Sequence, residues 1–326
     1  MIKTAEYVKR GHPDRVCDII ADSILDEYLK QDPYSRVAVE VFGSHGLITI
    51  GGEVTSNGKV DIEAVAKDVY RNIIGYESDI NIQININKQS KEISYLADLG
   101  AGDSGIMIGY ATNETKELLP LETVLAKTIA NSLDKNDNFA PDGKVQVTID
   151  DSKIVKIVIA YQLWENSSIT KQDVMDLVSD IGIVRDHLSL KTEWLLIPFF
   201  SGGFDADTGL TGRKNILWYG PSIPTGGGSF AGKDATKVDR TGAYLARMIA
   251  SHGINNGKKE CLVEIAYAIG QKYPLYLKID GLIFPDVIRI GTLEEIIQRL
   301  GLRKPVFQKA SLNGHFGYGV NWEMVN

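Results

Sequence analysis

Gly226 to Arg240, reading GGGSFAGKDATKVDR, joins a triple glycine to the cations Lys233, Lys237 and Arg240 and the acids Asp234 and Asp239. Glycines let a backbone close round an anion, cationic heads neutralise it, and carboxylates suit hard metal ions, so the segment fits a polyphosphate with its cations. Gly227 to Lys233 matches the first seven places of a P-loop. The eighth is Asp234, where a P-loop needs a Ser or Thr hydroxyl for Mg²⁺. A phosphate-gripping loop of another architecture is therefore expected, with a solvated surface linker as the alternative.

Other stretches carry compatible chemistry. In Gly11-His12-Pro13-Asp14-Arg15, proline fixes the backbone ahead of a helix start and an imidazole and a carboxylate project from one turn. Asp14 suits a Mg²⁺ ion and His12 a phosphate or leaving-group oxygen, although an acid in a first helical turn also serves the helix dipole. Glu40 and Glu53 stand inside apolar strand-like runs, where a charge must be paired, bind a cation or face water. Gly51-Gly52 beside Glu53 allow close approach of a ligand or another backbone. Asp103 lies among the glycines of Gly100 to Gly105, and Asp205 to Lys214 ends in Arg213-Lys214, a guanidinium fork next to a point charge. Lys144, Arg213, Lys214, Lys233 and two Mg²⁺ ions would neutralise a polyphosphate tail. No nucleophile elbow, Rossmann fingerprint, paired-histidine zinc helix or kinase signature is present. The residues alone reach a metal-assisted enzyme or binder for a nucleoside polyphosphate.

Composition bounds this reading. With 326 residues, 44% of them hydrophobic and 24% charged, the chain has length for two or three domains. A net charge of −7 leaves no overall basic field for nucleic acid or an anionic membrane. Cys17 and Cys261 are the only cysteines, without metal-type spacing, which fits a reducing compartment. No secretory signal and no apolar run of membrane-spanning length is seen, so a cytoplasmic location is expected.

Three hairpins rich in alternating β-branched residues organise the chain: Val37 to Val54, Lys144 to Gln162 and Cys261 to Asp280. Helical periodicity precedes each one, at Val16 to Lys30, Leu121 to Leu133 and Thr241 to Ser251. It also follows each, at Asp61 to Ile74, Lys171 to Val184 and Leu293 to Leu300. Short strands are expected to flank the units at Ala5 to Val8, Ile80 to Ile86, Ile106 to Tyr110, Trp194 to Phe200, Ile216 to Tyr219 and Val306 to Lys309. The order strand–helix–hairpin–helix–strand predicts an α+β protein of three similar domains, 1–96, 97–197 and 198–326, each with an antiparallel sheet carrying helices on one face.

Ten segments in order then resemble the S-adenosylmethionine synthetase, or methionine adenosyltransferase, family: GHPD at 11–14, GGE at 51–53, KQS at 88–90, GAGDSG at 100–105, GYATNET at 109–115, GLTGRK at 209–214, GGGSFAGKD at 226–234, KVDR at 237–240, YAIG at 267–270 and GHFG at 314–317. The resemblance implies a pseudo-threefold arrangement of the three domains and an active site shared between subunits of a homodimer, often paired into a tetramer. It implies attack of the methionine sulfur on C5′ of ATP and hydrolysis of the displaced tripolyphosphate to pyrophosphate and phosphate. By motif position, His12 resembles the histidine on the triphosphate, and Asp14 and Asp239 the magnesium carboxylates. Lys144, Arg213, Lys214 and Lys233 resemble the polyphosphate cations, with Ser229, Asp142, Asp103 and Asp207 on the nucleotide. Glu53, Gln89, Asp207, Lys237 and Ile269 resemble the methionine-side residues, and Glu40 the potassium ligand. Departures from the family pattern are Lys91-Glu92 after the KQS segment, with a short path to Gly100 in place of a longer lid, Ser201-Gly202-Gly203-Phe204 on the adenine side, and Thr225 before the triple glycine.

Overall fold

The computed structural model describes residues 1–76, 78–226, 228–320 and 322–323. Strand β1 (Ile2–Val8) leads into helix α1 (Pro13–Gln31), which His12 caps and Pro13 opens with a pre-set φ. A hairpin follows, β2 (Arg36–Ser44) and β3 (Leu47–Thr55), closed by His45 and Gly46 with φ of 42° and 74°. Two consecutive left-handed residues match the right-handed twist of the strands they join. Helix α2 (Ile62–Ile74), capped by Asp61 and ended by left-handed Gly75, and strand β4 (Asn81–Asn87) complete the first segment.

The second segment repeats the plan. After α3 (Lys91–Leu99) come β5 (Gly105–Thr112), α4 (Leu121–Asp134), the hairpin β6 (Phe139–Asp150) and β7 (Lys153–Leu163), α5 (Lys171–Ser179), α6 (Gly182–His187) and β8 (Glu193–Phe199). The third has β9 (Gly209–Leu210), α7 (Val238–Asn255), β10 (Glu260–Tyr267), β11 (Tyr276–Ile279), β12 (Leu282–Phe284), α8 (Leu293–Leu300) and α9 (Phe307–Asn313).

The sheets do not follow the segments. Their orders are β4-β3-β2-β9, β8-β7-β6-β1 and β12-β11-β10-β5. The first strand of each segment thus joins a different sheet: β1 pairs with β6, β5 with β10 and β9 with β2. This cyclic exchange is the pseudo-threefold relation in hydrogen-bonded form, and it corrects the expectation of one self-contained sheet per segment. Two edges are also parallel, β3 with β4 and β7 with β8, so those sheets are mixed rather than antiparallel.

Three further expectations need correction. Ile216 to Tyr219 is not a strand; Asn215–Trp218 forms a 3-10 turn whose Leu217 and Trp218 are buried. Val306 to Lys309 enters helix α9, whose first turn is fixed by a distant carboxylate, Asp26. Lys171 to Val184 divides into α5 and α6 at Asp180-Ile181.

Long helices cover one face of each sheet: α1 on β2, α4 on β6 and α7 on β5. Gly109 permits the last contact, since a Cβ there would stand 2.1 Å from the carbonyl carbon of Ala246. Buried apolar residues from all three segments merge into one core. The opposite sheet faces are open. They carry Phe42, Leu195, Ile197 and Ile106, which are 40, 52, 44 and 49% exposed.

Candidate active site

Two groups of the expected site residues assemble, at two ends of one strip of the chain. The first gathers at the start of α1. His12 is buried, and its Nδ1 accepts the Asp14 N–H at 3.2 Å, which leaves the ring proton on Nε2. Burial, then the Lys214 ammonium, pushes the imidazole down to about 4 against the pull of Asp14, so the ring is neutral near pH 7. Asp14 accepts the Leu210 N–H at 3.0 Å on Oδ1 and Lys214 Nζ at 2.5 Å on Oδ2, with Arg213 Nε at 3.5 Å. The short β9–β2 pairing presents this loop, because Gly209 packs on the Pro13 carbonyl where a Cβ would approach to 2.2 Å.

Around this pole stand Asp142, Lys144 and Asp207. Asp142 is pinned by the Gly143 and Gly203 N–H groups at 2.7 and 2.8 Å; burial pushes its carboxyl up and those two donors pull it back. Among the described residues, half-buried Lys144 has only Glu6 at 3.7 Å, and the exposed Asp207 accepts just its neighbour Thr208's N–H.

The second pole gathers at the start of α7. Lys233 Nζ donates to Asp239 Oδ2 at 2.7 Å, and Gly228 leaves room for that carboxylate, since a Cβ would meet Asp239 Oδ1 at 1.9 Å. Lys233 pairs with Ala38 at the edge of β2, and α7 begins only at Val238. The lysine is therefore not at a helix N-terminus as in a P-loop, in keeping with the misfit at Asp234; Gly227, the first place of that match, lies outside the described residues. Lys237 is buried with its ammonium lacking a hydrogen bond and Asp234 at 3.8 Å. Asp103 lies half-buried in the neighbouring glycine loop, whose Gly102 N–H reaches Thr236 O at 2.9 Å, and Ser104 Oγ accepts the Ile269 N–H at 2.8 Å.

Glu40 and Glu53 lie on the open face of their sheet; Glu40 is between the poles in register, and Glu53, opposite Ala38, is level with Lys233. Glu40 accepts from the Thr211 hydroxyl, whereas Glu53 has no hydrogen bond or ion pair among the described residues. Gln89 Oε1 and Ser229 Oγ are buried without partners, as is Lys237 Nζ. Buried polar atoms are normally satisfied, so orphans on three expected substrate residues mark places for a ligand's polar atoms.

The loops of the two poles touch, since Asn215 Nδ2 donates to Gly228 O at 3.0 Å, but they meet β2 at different points. Lys233 faces Ala38 and Leu210 faces Phe42, four residues apart on β2, or roughly 13 Å at the usual strand rise. Clefts of about 400 and 800 Å³ lie elsewhere, on either side of α3 near Arg36 and Asp98, and neither is lined by His12, Asp14, Lys233 or Asp239. No group of three or more His, Cys, Asp or Glu side chains could form a metal cage among the described residues. Mg²⁺ commonly binds through one or two carboxylates plus substrate phosphates, so the single carboxylates Asp14 and Asp239, each beside a lysine, fit an ion that arrives with a polyphosphate.

Sequence reasoning missed Asp18, Asp22 and Asp26 of α1, and the role of Arg240. Their signal was available, as acids recurring every four residues along an otherwise apolar helix. Arg240, fully buried, donates to Lys233 O at 2.6 Å and to Tyr244 OH at 2.9 Å, and is ion-paired with Asp22.

Comparisons with known proteins identify the family. Residues 1–96, 98–198 and 201–324 match the N-terminal, central and C-terminal domain models of S-adenosylmethionine synthetase. The S-adenosylmethionine synthase of Mesoplasma florum is 40% identical over 367 aligned residues, which cover 99% of this chain and 97% of that protein. Those of Mycoplasmopsis synoviae and Aquifex aeolicus are 40 and 37% identical, each covering 99% of this chain and 94 and 96% of the relative. Three domain matches in order and full-length identity above a third place the chain in the S-adenosylmethionine synthetase family.

Proposed function

We propose that this chain is a methionine adenosyltransferase that forms S-adenosylmethionine from ATP and L-methionine and hydrolyses the displaced tripolyphosphate at the same site. The observation that carries the reading is the matched pair of poles, each a lysine held on a buried carboxylate: Lys214 on Asp14 and Lys233 on Asp239. Each lysine has a counter-charge that it can exchange for a phosphate oxygen, which would leave each carboxylate free to hold a metal ion.

The thioether sulfur of methionine is already nucleophilic, so no general base is required. The chain's work is to align sulfur, C5′ and leaving oxygen, and such positioning can be worth roughly 7 to 11 kcal/mol. Glu53, Gln89, Lys237, Asp207 and Ile269 are assigned to methionine; Asp103, Asp142, Asp207 and Ser229 to the nucleotide. Neutral His12 donates from Nε2 to the leaving oxygen, while Lys144, Arg213, Lys214 and Lys233 hold the triphosphate. Asp14 and Asp239 would hold Mg²⁺, which when bound neutralises the developing phosphate charge, and Glu40 would serve K⁺.

The roughly 13 Å between poles, and the apolar side chains on the open sheet faces beside Glu40, Glu53 and Lys144, support a site completed by a second copy of the chain across those faces. The domain limits 1–96, 97–197 and 198–326 are retained as the units that pack there. The chain is incubated with ATP, methionine, Mg²⁺ and K⁺ and followed for sulfonium product, phosphate and pyrophosphate. Absence of the sulfonium under varied conditions removes the assignment, and phosphate released from added tripolyphosphate alone would reduce it to a tripolyphosphatase. A fully active monomer on size-exclusion chromatography would exclude the shared site.

A further inference from the structure

Acids at every fourth position of α1 place Asp14, Asp18, Asp22 and Asp26 in a column on one helix face. They are 1, 3, 0 and 5% exposed, and buried carboxylates are tolerated only when satisfied. All four accept backbone N–H groups from the third segment: Leu210 for Asp14, Gly212 for Asp18, Gly232 for Asp22, and Phe307 with Gln308 for Asp26. The middle two reach segments that immediately precede the polyphosphate cations. Asp18 Oδ1 holds the Gly212 N–H at 2.8 Å, one residue before Arg213. Gly212 has φ of +79° and packs on Ser229, where a Cβ would stand at 2.3 Å, so its backbone is gripped from both sides. Asp22 Oδ1 holds the Gly232 N–H at 2.8 Å, one residue before Lys233, and Arg240 links Asp22 to the Lys233 carbonyl. Ser311 Oγ donates to the other Asp22 oxygen at 2.5 Å.

We propose that Asp18 and Asp22 are positioning residues for the reaction, fixing the backbones from which Arg213-Lys214 and Lys233 reach the polyphosphate. The proposal rests on the role given to those cations above. The two acids act differently. Among the described residues Asp18 has no side-chain partner and serves as a hydrogen-bond acceptor; burial pushes its carboxyl up to about 8, with the Gly212 N–H pulling down and Asp22 and Asp14 pushing further up. Asp22 is both an acceptor and the counter-charge of Arg240. Asp26 is the built-in control, since it fixes α9, which carries none of the assigned site residues.

The test uses full-length Asp18→Ala, Asp18→Asn, Asp22→Asn and Asp26→Ala proteins, with steady-state kinetics on ATP and methionine and amide hydrogen exchange over residues 209–214 and 230–237. Because small misplacements of positioned groups can cost about a hundredfold, Asp18→Ala should lower kcat roughly 10- to 100-fold, with KM for methionine within about threefold of the parent. Exchange should quicken over 209–214. Asn supplies the same acceptor, so Asp18→Asn should recover kcat to within about threefold, whereas Asp22→Asn should lose about tenfold or more and loosen 230–237. Asp26→Ala should lower the unfolding temperature and leave kcat within about threefold. If Asp18→Ala does not fold, Asp18→Ser, too short to reach Gly212, takes its place. Parent-like kcat and exchange in the Ala or Ser variant, no recovery in Asn, or an equal kcat loss in Asp26→Ala overturns the proposal. A parent protein that makes no sulfonium instead defeats the functional reading, and the exchange measurements still decide whether the acids position the loops.

Discussion

The two poles hold the same kind of pair by different means. Lys233 and Asp239 are six residues apart, at one loop–helix junction, so local geometry forms their contact. Lys214 and Asp14 are two hundred residues apart and meet only because β9 is added to the edge of β2 and α1 packs beside it. The difference separates chemistry from stability. Both lysines partner a buried carboxylate, but Asp239 also has the N-terminus of its own helix beside it, whereas Asp14 is held between two segments that meet only through the fold.

Replacement of both lysines sharpens this contrast. Lys214→Met should have the largest combined effect, because it removes a polyphosphate cation and leaves Asp14 buried with only Leu210 N–H and the more distant Arg213. Breaking a buried pair by one partner costs about 3 to 5 kcal/mol, so the unfolding midpoint should fall markedly while sulfonium formation drops by two to three orders of magnitude. Lys233→Met should match that loss of turnover, about 3 to 4 kcal/mol of transition-state stabilisation, and should lower the midpoint by less than Lys214→Met does, because the buried Asp239 stands in the first turn of α7, where the helix N-terminus favours its charge. Equal stability losses in the two variants, measured by thermal unfolding, would erase the distinction between local and long-range poles.

The helical acid column gives the long-range pole a pH signature. Asp18 and Asp26 are pushed up to about 8 and about 7, burial being the first cause for each. Between the ordinary carboxylate range and those values the native state holds protons that the unfolded chain has released. Stability therefore falls as pH rises from about 4 to 8, and the proton-linked part is gone above that. Asp18→Asn cannot titrate, so its unfolding temperature relative to the parent should rise progressively from pH 5 to pH 8. A constant difference across that range would mean that Asp18 is ionised in the folded protein throughout.

Local rules made much of this legible. Alternating residues in Val37 to Val54 and Lys144 to Gln162, and helical periodicity over Asp61 to Ile74, are short-range signals, and hairpins and helix appeared where they pointed. The poles' residues were named from their types and motif order. What was hidden is long-range: that β1, β5 and β9 leave their own segments, and that Ile216 to Tyr219 and Val306 to Lys309 fold into a 3-10 turn and a helix start rather than strands. Phe307 instead begins a helix because Asp26, 281 residues away, receives its N–H. No window of sequence contains that partner.

The smallest effect is expected at α3, the nine-residue helix that follows Gln89. Arg36, at the start of β2, donates from Nη1 to Ser94 O at 2.9 Å and from Nη2 to Asp98 at 2.5 Å, tying the exposed side of α3 to the sheet that carries Glu53. The far end of α3 is fixed separately, by Ala101 N–H to Gln271 O at 2.8 Å and Gly270 N–H to Ala101 O at 2.7 Å. The helix thus bridges Gln89 at one end and the Asp103–Ile269 loops at the other, and Arg36 clamps its middle. Asp98 is largely exposed, so the ion pair itself contributes little, about 0 to 1 kcal/mol. Arg36→Met should consequently leave kcat and the unfolding midpoint near those of the parent, raise KM for methionine about two- to fivefold through a looser Gln89, and speed proteolysis within 91–99. An unchanged KM together with faster cleavage would show that α3 covers the site without setting the position of Gln89.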